Sequence, residues 1–233
     1  MFNEPGEDMF SSGIKMRNLF VLLKQQLKSM SESNRNSRLE AFCDGVFAIA
    51  LTLLIIDIKL PSTEKINTTA DFWLALKHIL PSISAFVLSF IIILITWVNH
   101  HAYLRLVNGT SPSFIYANGF LLLTVVMIPF PTSLLGEYIL TDHAAPAVIL
   151  YNATMAIQAL GWILMSHTAI KNQLFKNEKL AVAIRRNGKF GYFAFTLYAL
   201  FAIIAIWFPL TITVITCITW IFWLGVGINM KNE

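Results

Sequence analysis

Residues 38–57 read RLEAFCDGVFAIALTLLIID, and from Gly45 to Ile56 no charged side chain interrupts the run. A bilayer core of roughly 30 Å is crossed by a helix of about 20 mostly apolar residues, and this segment has that length. Asp44 lies about one and a half turns inside its start. A carboxylate at that depth costs on the order of 3 kcal/mol or more unless it is paired or hydrated, which makes it a functional candidate by default.

Working outward, apolar runs of similar length recur to the C-terminus. The 233 residues are 56% apolar and 13% charged, against about 25% charged in soluble domains. The charges sit in blocks between the runs. An all-α membrane protein with six transmembrane helices is expected, over about residues 38–58, 73–103, 113–135, 145–168, 189–207 and 210–228. The connection Trp207-Phe208-Pro209 is tight, but the apolar length around it is too great for one crossing. Residues 38–233 thus form the membrane domain, preceded by a polar segment, 1–37. In that segment Met16, Leu19, Phe20, Leu23, Leu27 and Met30 follow helical spacing among Lys15, Arg17, Lys24 and Lys28. The pattern suits a helix on an anionic membrane surface or a frayed tail. No secretory signal is expected, because the early run Leu19–Leu23 is too short and lacks a cleavage site.

Lys and Arg concentrate on the cytoplasmic side of membrane proteins. With six spans and both termini cytoplasmic, 14 of the 17 Lys and Arg fall inside, and only Lys59, Lys65 and Lys77 outside. The inverted arrangement reverses the ratio. The net charge of +4 therefore marks a membrane side rather than a nucleic-acid partner. Cys43 and Cys217 both lie in apolar spans and read as reduced core residues.

This topology brings Asp44, the cluster Trp97-Val98-Asn99-His100-His101 and Asn118 to similar depth near the cytoplasmic face. Carboxylate, indole, imidazole and amide groups supply both donors and acceptors for a satisfied network. Helix geometry separates two faces of the first span. At about 100° per residue, with Ile49 at zero, Leu53 falls near 40°, Ile56 near −20°, Gly45 near −40° and Thr52 near −60°, whereas Asp44 falls near −140°. One face is a stripe of aliphatic, small and hydroxyl side chains, which ordinarily faces lipid or core. The other carries the carboxylate.

Arg38, Phe42, Asp44 and the Gly45-Val-Phe-Ala-Ile-Ala50 run, with Trp97, His100, His101, Asn118 and Pro129-Phe130-Pro131-Thr132, resemble the signature of the transmembrane protein 175 family of endolysosomal potassium channels and their prokaryotic relatives. The resemblance covers roughly residues 38–135; the later spans match in length and hydropathy. It implies a homotetramer in the cell membrane whose first helices line a central pore for potassium ions, with lipid around it and no cofactor. Ile49, Leu53 and Ile56 then match successive hydrophobic constrictions, and Thr52 a position tied to cation preference. Arg38, Asp44, Trp97, His100 or His101, and Asn118 match the polar network that holds the pore helix. Cys43 departs from the family's usual Ser. A thiol is the weaker hydrogen-bonding group, so a looser link is expected there.

A Thr-Val-Gly-Tyr-Gly filter and an Arg ladder are both absent from the sequence, so any potassium preference is expected to be modest and to come from side chains. The competing reading is a proton- or cation-coupled transporter relaying through Asp44, Asp57 and a histidine. An intramembrane enzyme is disfavoured. Adjacent His100 and His101 point about 100° apart, and the sequence has neither His-Glu-x-x-His nor Gly-x-Ser-x-Gly.

Overall fold

The computed structural model describes Phe20, Lys24 and residues 36–59 and 66–230. Among these residues every regular element is helical. Helix α1 runs Asn36–Ile56 and tightens to a 3-10 turn over Leu54–Asp57. Then come α2 (Thr69–Leu106), α3 (Pro112–Met127), α4 (Pro129–Tyr138), α5 (Ala144–Lys171), α6 (Glu178–Ile204) and α7 (Pro209–Met230). Five helical segments are long and apolar enough to cross a membrane, α3 and α4 together counting as one; the apolar part of α7, Pro209–Gly225, is shorter. Apart from exposed Phe20 and Lys24, the amphipathic stretch from Met16 to Met30 lies outside the described residues, as does the side chain of Asp57.

Local chemistry sets the helix ends, and it moves several of them from where hydropathy alone puts them. α2 begins at Thr69 because Thr68 and Asp71 form a capping box, each side chain accepting from the other's backbone N–H. At 38 residues it is about 57 Å long, well beyond a bilayer core. The third crossing is broken, not continuous. Pro129 has no N–H to give, so the chain closes a three-residue turn, Ile128 N–H to Val125 O at 3.1 Å, and restarts as α4. α6 begins at Glu178, earlier than the apolar run, because the Asn177 side chain accepts from Leu180 N–H and caps two turns that carry Arg185 and Arg186. α5 ends in a Schellman closure with Gln173 at φ 54°. Leu174 N–H returns to Ala169 O at 2.9 Å and Gln173 N–H to Ile170 O at 3.1 Å.

Contacts between segments fix which helix ends share a side. Asn36 Nδ2 donates to Val107 O at 3.2 Å, Asn108 N–H to Leu174 O at 3.1 Å, and Asn172 Nδ2 to Ser113 Oγ at 3.0 Å. The start of α1, the α2–α3 link and the α5–α6 link therefore meet at one end. Lys59 Nζ approaches Glu137 Oε2 at 3.6 Å, so the far ends of α1 and α4 meet at the other. The consecutive crossings alternate in direction.

Within a bilayer, helices associate through close packing and buried polar ties rather than through a hydrophobic drive. Both occur here. A Cβ on Gly136 would lie 2.7 Å from Ser82 Cα, and one on Gly161 would lie 2.9 Å from Leu121 Cα. These glycines let α4 meet α2, and α5 meet α3, at backbone distance. A buried hydroxyl chain crosses the same layer: Tyr151 Oη lies 3.4 Å from Ser89 Oγ, and Thr132 Oγ1 lies 2.6 Å from it. Replacing Gly161 by Val forces its side chain into the Leu121 backbone. The expected loss is about 1–3 kcal/mol, the usual range for overpacking, read as a lower thermal midpoint of the detergent-purified protein.

Candidate functional site

The polar residues of α1, α2 and α3 converge toward the end where Asn36 meets Val107. Trp97 Nε1 donates to Asp44 Oδ1 at 2.8 Å. One turn on, His100 is 1% exposed and its Nε2 lies 2.6 Å from Asn118 Oδ1. Asn118 Nδ2 in turn donates to Cys43 Sγ at 3.1 Å. These contacts orient one another. With the Asn118 amide spent on the thiol, its carbonyl oxygen faces the imidazole, so His100 carries its proton on Nε2 and donates it. The ring is flanked by Phe47 and Trp162, with centroids at 5.4 and 6.2 Å.

A second tie lies nearer the helix start. Arg105 Nη2 donates to His101 Nε2 at 2.7 Å, which leaves the His101 proton on Nδ1. That nitrogen sits 2.8 Å from Glu40 Oε1, a close ion-pair contact that lies off the line of a hydrogen bond. The same imidazole stacks against Trp97, with centroids 6.1 Å apart. Glu40 and Arg105 were not among the residues singled out from sequence. Their signal was spacing: Glu40 precedes Asp44 by four, and His101 precedes Arg105 by four, so each pair shares a helix face.

The structure thus joins Asp44 to Trp97, and Cys43 to Asn118 and His100, while His101 pairs with Glu40 instead of Asp44. It does not bring Arg38 into the set. Arg38 is exposed, and no described residue pairs with it. The reason is angular: Arg38 falls near −20° on the wheel, roughly in line with Ile49 and Ile56 and away from α2.

The opposite face of α1 is open. Ile49 is 58% exposed, Leu53 39% and Ile56 71%; Thr52, Gly45 and Phe42 are exposed as well. Cys43, Phe47, Ala50 and Leu54 are buried against the bundle. The hydroxyl of Thr52 donates to Ile49 O at 2.9 Å. Its proton is therefore turned back on its own helix, and its oxygen lone pairs face outward. Among the described residues no three His, Cys, Asp or Glu side chains converge to hold a metal.

Helix α1 thus carries a polar lock on one face and leaves an aliphatic and hydroxyl stripe open on the other. Comparison with known proteins supplies the class, an ion channel of the membrane. The family model described as the endosomal/lysosomal potassium channel TMEM175 matches residues 38–129. A curated potassium channel from Chamaesiphon minutus is 42% identical over 164 residues, spanning 69% of this chain and 80% of that protein. One from Streptomyces collinus is 42% identical over 135 residues, spanning 55% of this chain and 64% of that one. The crystal structure of a lysosomal potassium-selective channel TMEM175 homolog from Chamaesiphon minutus superposes with a TM-score of 0.74 at 31% identity, covering 83% of this chain and 98% of that chain. The chain belongs to the TMEM175 family, a family of passive ion channels and not of enzymes. The coupled-transporter reading is not favoured.

Two substitutions test the lock. Trp97→Phe removes the donor and leaves a half-buried carboxylate without its partner. Hydrogen bonds to charged groups contribute about 1.5–3 kcal/mol, and a fall of that order in unfolding free energy is expected in detergent. Cys43→Ser has the opposite sign. A hydroxyl accepts the Asn118 N–H better than a thiol does, so the thermal midpoint should rise.

Proposed function

We propose that this chain is a subunit of a potassium-permeable cation channel of the cell membrane. The channel is a homotetramer with six spans per subunit and both termini cytoplasmic; residues 38–233 form the channel domain and 1–37 a cytoplasmic segment ahead of it. The first helices of four subunits line the central pore, and membrane lipid surrounds the assembly. The observation that carries this reading is the division of α1, fastened along one side and open on the stripe through Ile49, Leu53 and Ile56. Lipid alone gives no reason for a stripe that also bears Thr52, Gly45 and Arg38.

In a fourfold arrangement the stripe becomes a stack of rings. Ile49, Leu53 and Ile56 form aliphatic constrictions, which close a pore by expelling water without needing a solid plug. Thr52 contributes four outward oxygens between them, each with its proton already committed to Ile49 O. Such a ring offers acceptors to a cation that sheds water, but fewer than a cage of backbone carbonyls. Potassium preference over sodium is accordingly modest. The lock of Asp44 with Trp97, and of Cys43 with Asn118 and His100, sets the rotation that aims these rings.

Ile49→Ala and Leu53→Ala widen and wet the constrictions. Purified channels in planar bilayers under a potassium/sodium bi-ionic gradient should show several-fold larger currents, and Thr52→Ala a lower potassium preference. Unchanged currents in both aliphatic variants, or a monomer by membrane crosslinking, would overturn the pore assignment.

A further inference from the structure

Helices α5 and α6 run antiparallel and pack closely. A Cβ on Gly188 would lie 3.2 Å from Ser166 Cβ, and one on Gly191 would lie 2.9 Å from Ile163 Cγ1. These two contacts set the level of one helix against the other. Four basic side chains fall within about two turns of the Gly188–Ser166 contact: His167 and Lys171 on α5, Arg185 and Lys189 on α6. All four are exposed. On the helical wheel Leu164, His167 and Lys171 lie within about 60° of one another, and so do Arg185, Lys189 and Tyr192. Because the helices run in opposite directions, both arcs open to the same outer side of the seam.

The depth of this group follows from the apolar length beyond it. Exposed Trp207 and Phe208 lie at the far end of α6, and the chain from Lys189 to Trp207 rises about 27 Å. A bilayer core is roughly 30 Å thick. Lys189 therefore stands at the edge of the hydrocarbon, level with lipid phosphates. Tyr192 and Leu164, 62% and 42% exposed, stand just inside it. The acid nearest in sequence, Glu178, is taken up by Arg185 at 2.6 Å. Among the described residues no carboxylate pairs with Lys171 or Lys189.

Lysine and arginine gather on the cytoplasmic side of most membrane proteins, chiefly in loops. Here they flank a seam between two spanning helices whose next turn inward is apolar. Basic seams of this kind suit anionic lipid headgroups. Phosphate oxygens accept charge-assisted hydrogen bonds, and the acyl chains lie along the apolar faces. A soluble anion gains only the first of these.

We propose that the outer seam of α5 and α6 is a binding site for an anionic phospholipid. Lys171, Arg185 and Lys189 hold its phosphate, with His167 beside them, and its chains lie against Leu164 and Tyr192. The assignment of this end to the cytoplasmic leaflet rests on the topology proposed above; the site itself does not depend on conduction.

The test uses purified full-length protein and two lipids of equal chain length, dioleoyl phosphatidylglycerol and dioleoyl phosphatidylcholine. By native mass spectrometry, phosphatidylglycerol should bind at several-fold lower concentration than phosphatidylcholine, and it should raise the thermal midpoint. Lys171→Gln combined with Lys189→Gln should abolish that preference. The midpoint in phosphatidylcholine should stay unchanged, because both side chains are exposed. Lys171→Arg with Lys189→Arg should keep the preference. Lys176→Gln combined with Lys179→Gln removes the same charge close by and should also leave it intact. Equal loss in both glutamine pairs would mean diffuse attraction to the surface, and equal retention of the two lipids no recognition; either overturns the proposal. So does inorganic phosphate that raises the midpoint as far as phosphatidylglycerol does, since the ligand is then free phosphate. A channel that proves silent or monomeric still gives this readout, so failure of the pore assignment and failure of the lipid site are told apart.

Discussion

The bond from the Trp97 indole to the Asp44 carboxylate is the constraint from which the arrangement of α1 follows. A carboxylate on a spanning helix has few affordable surroundings. In this bundle a single N–H at 2.8 Å answers it. Turning α1 by one residue, about 100°, would withdraw the carboxylate from that donor and carry Phe47 out of the core. The bond therefore fixes a rotation, and the rotation decides which side chains are left facing outward. The open stripe is what remains of α1 once its polar demands are met.

The neighbouring contacts reinforce that rotation because each has a direction. His100 donates to Asn118, and Asn118 donates to Cys43. α2 thus acts as a two-sided post. Trp97, His100 and His101 reach toward α1 and α3, while Asn99 reaches the backbone of α7. Shape adds the rest, through glycines that admit neighbouring backbones to within a side chain's width.

Much of this was legible in the sequence, and what was not had physical causes. Hydropathy locates crossings because a bilayer tolerates few charges, so the helices appear near their expected places. Their ends depend on single hydrogen bonds, which is why Asn177 and Thr68 lengthen α6 and α2, and why Pro129 divides the third crossing. Depth arguments bring Asp44, Trp97, His100 and Asn118 to one level, but depth cannot choose partners. That Asp44 takes the indole while His101 takes Glu40 depends on side-chain reach and rotation between helices. Arg38 stands apart: the resemblance groups it with the network, whereas the helical wheel aligns it with Ile49.

The distribution of ties along α1 bears on how such a helix can move. Cys43 and Asp44, in its first half, make directional hydrogen bonds, and Glu40 beside them adds a close but undirected contact with His101. Beyond them the buried side is Phe47, Ala50 and Leu54, which is apolar, and the exposed Lys59–Glu137 contact contributes little. Dispersion contacts are individually weak and tolerate small slides, whereas a buried hydrogen bond is lost almost entirely when its donor is drawn away. Displacing the far half of α1 therefore costs less than displacing the first. The aliphatic residues from Ile49 to Ile56 all lie in that cheaper half, and the helix already departs from α geometry into a 3-10 turn at Leu54. A helix anchored by polar bonds at one end and by packing alone at the other can displace its exposed aliphatic side chains while the bonds that set its rotation stay intact.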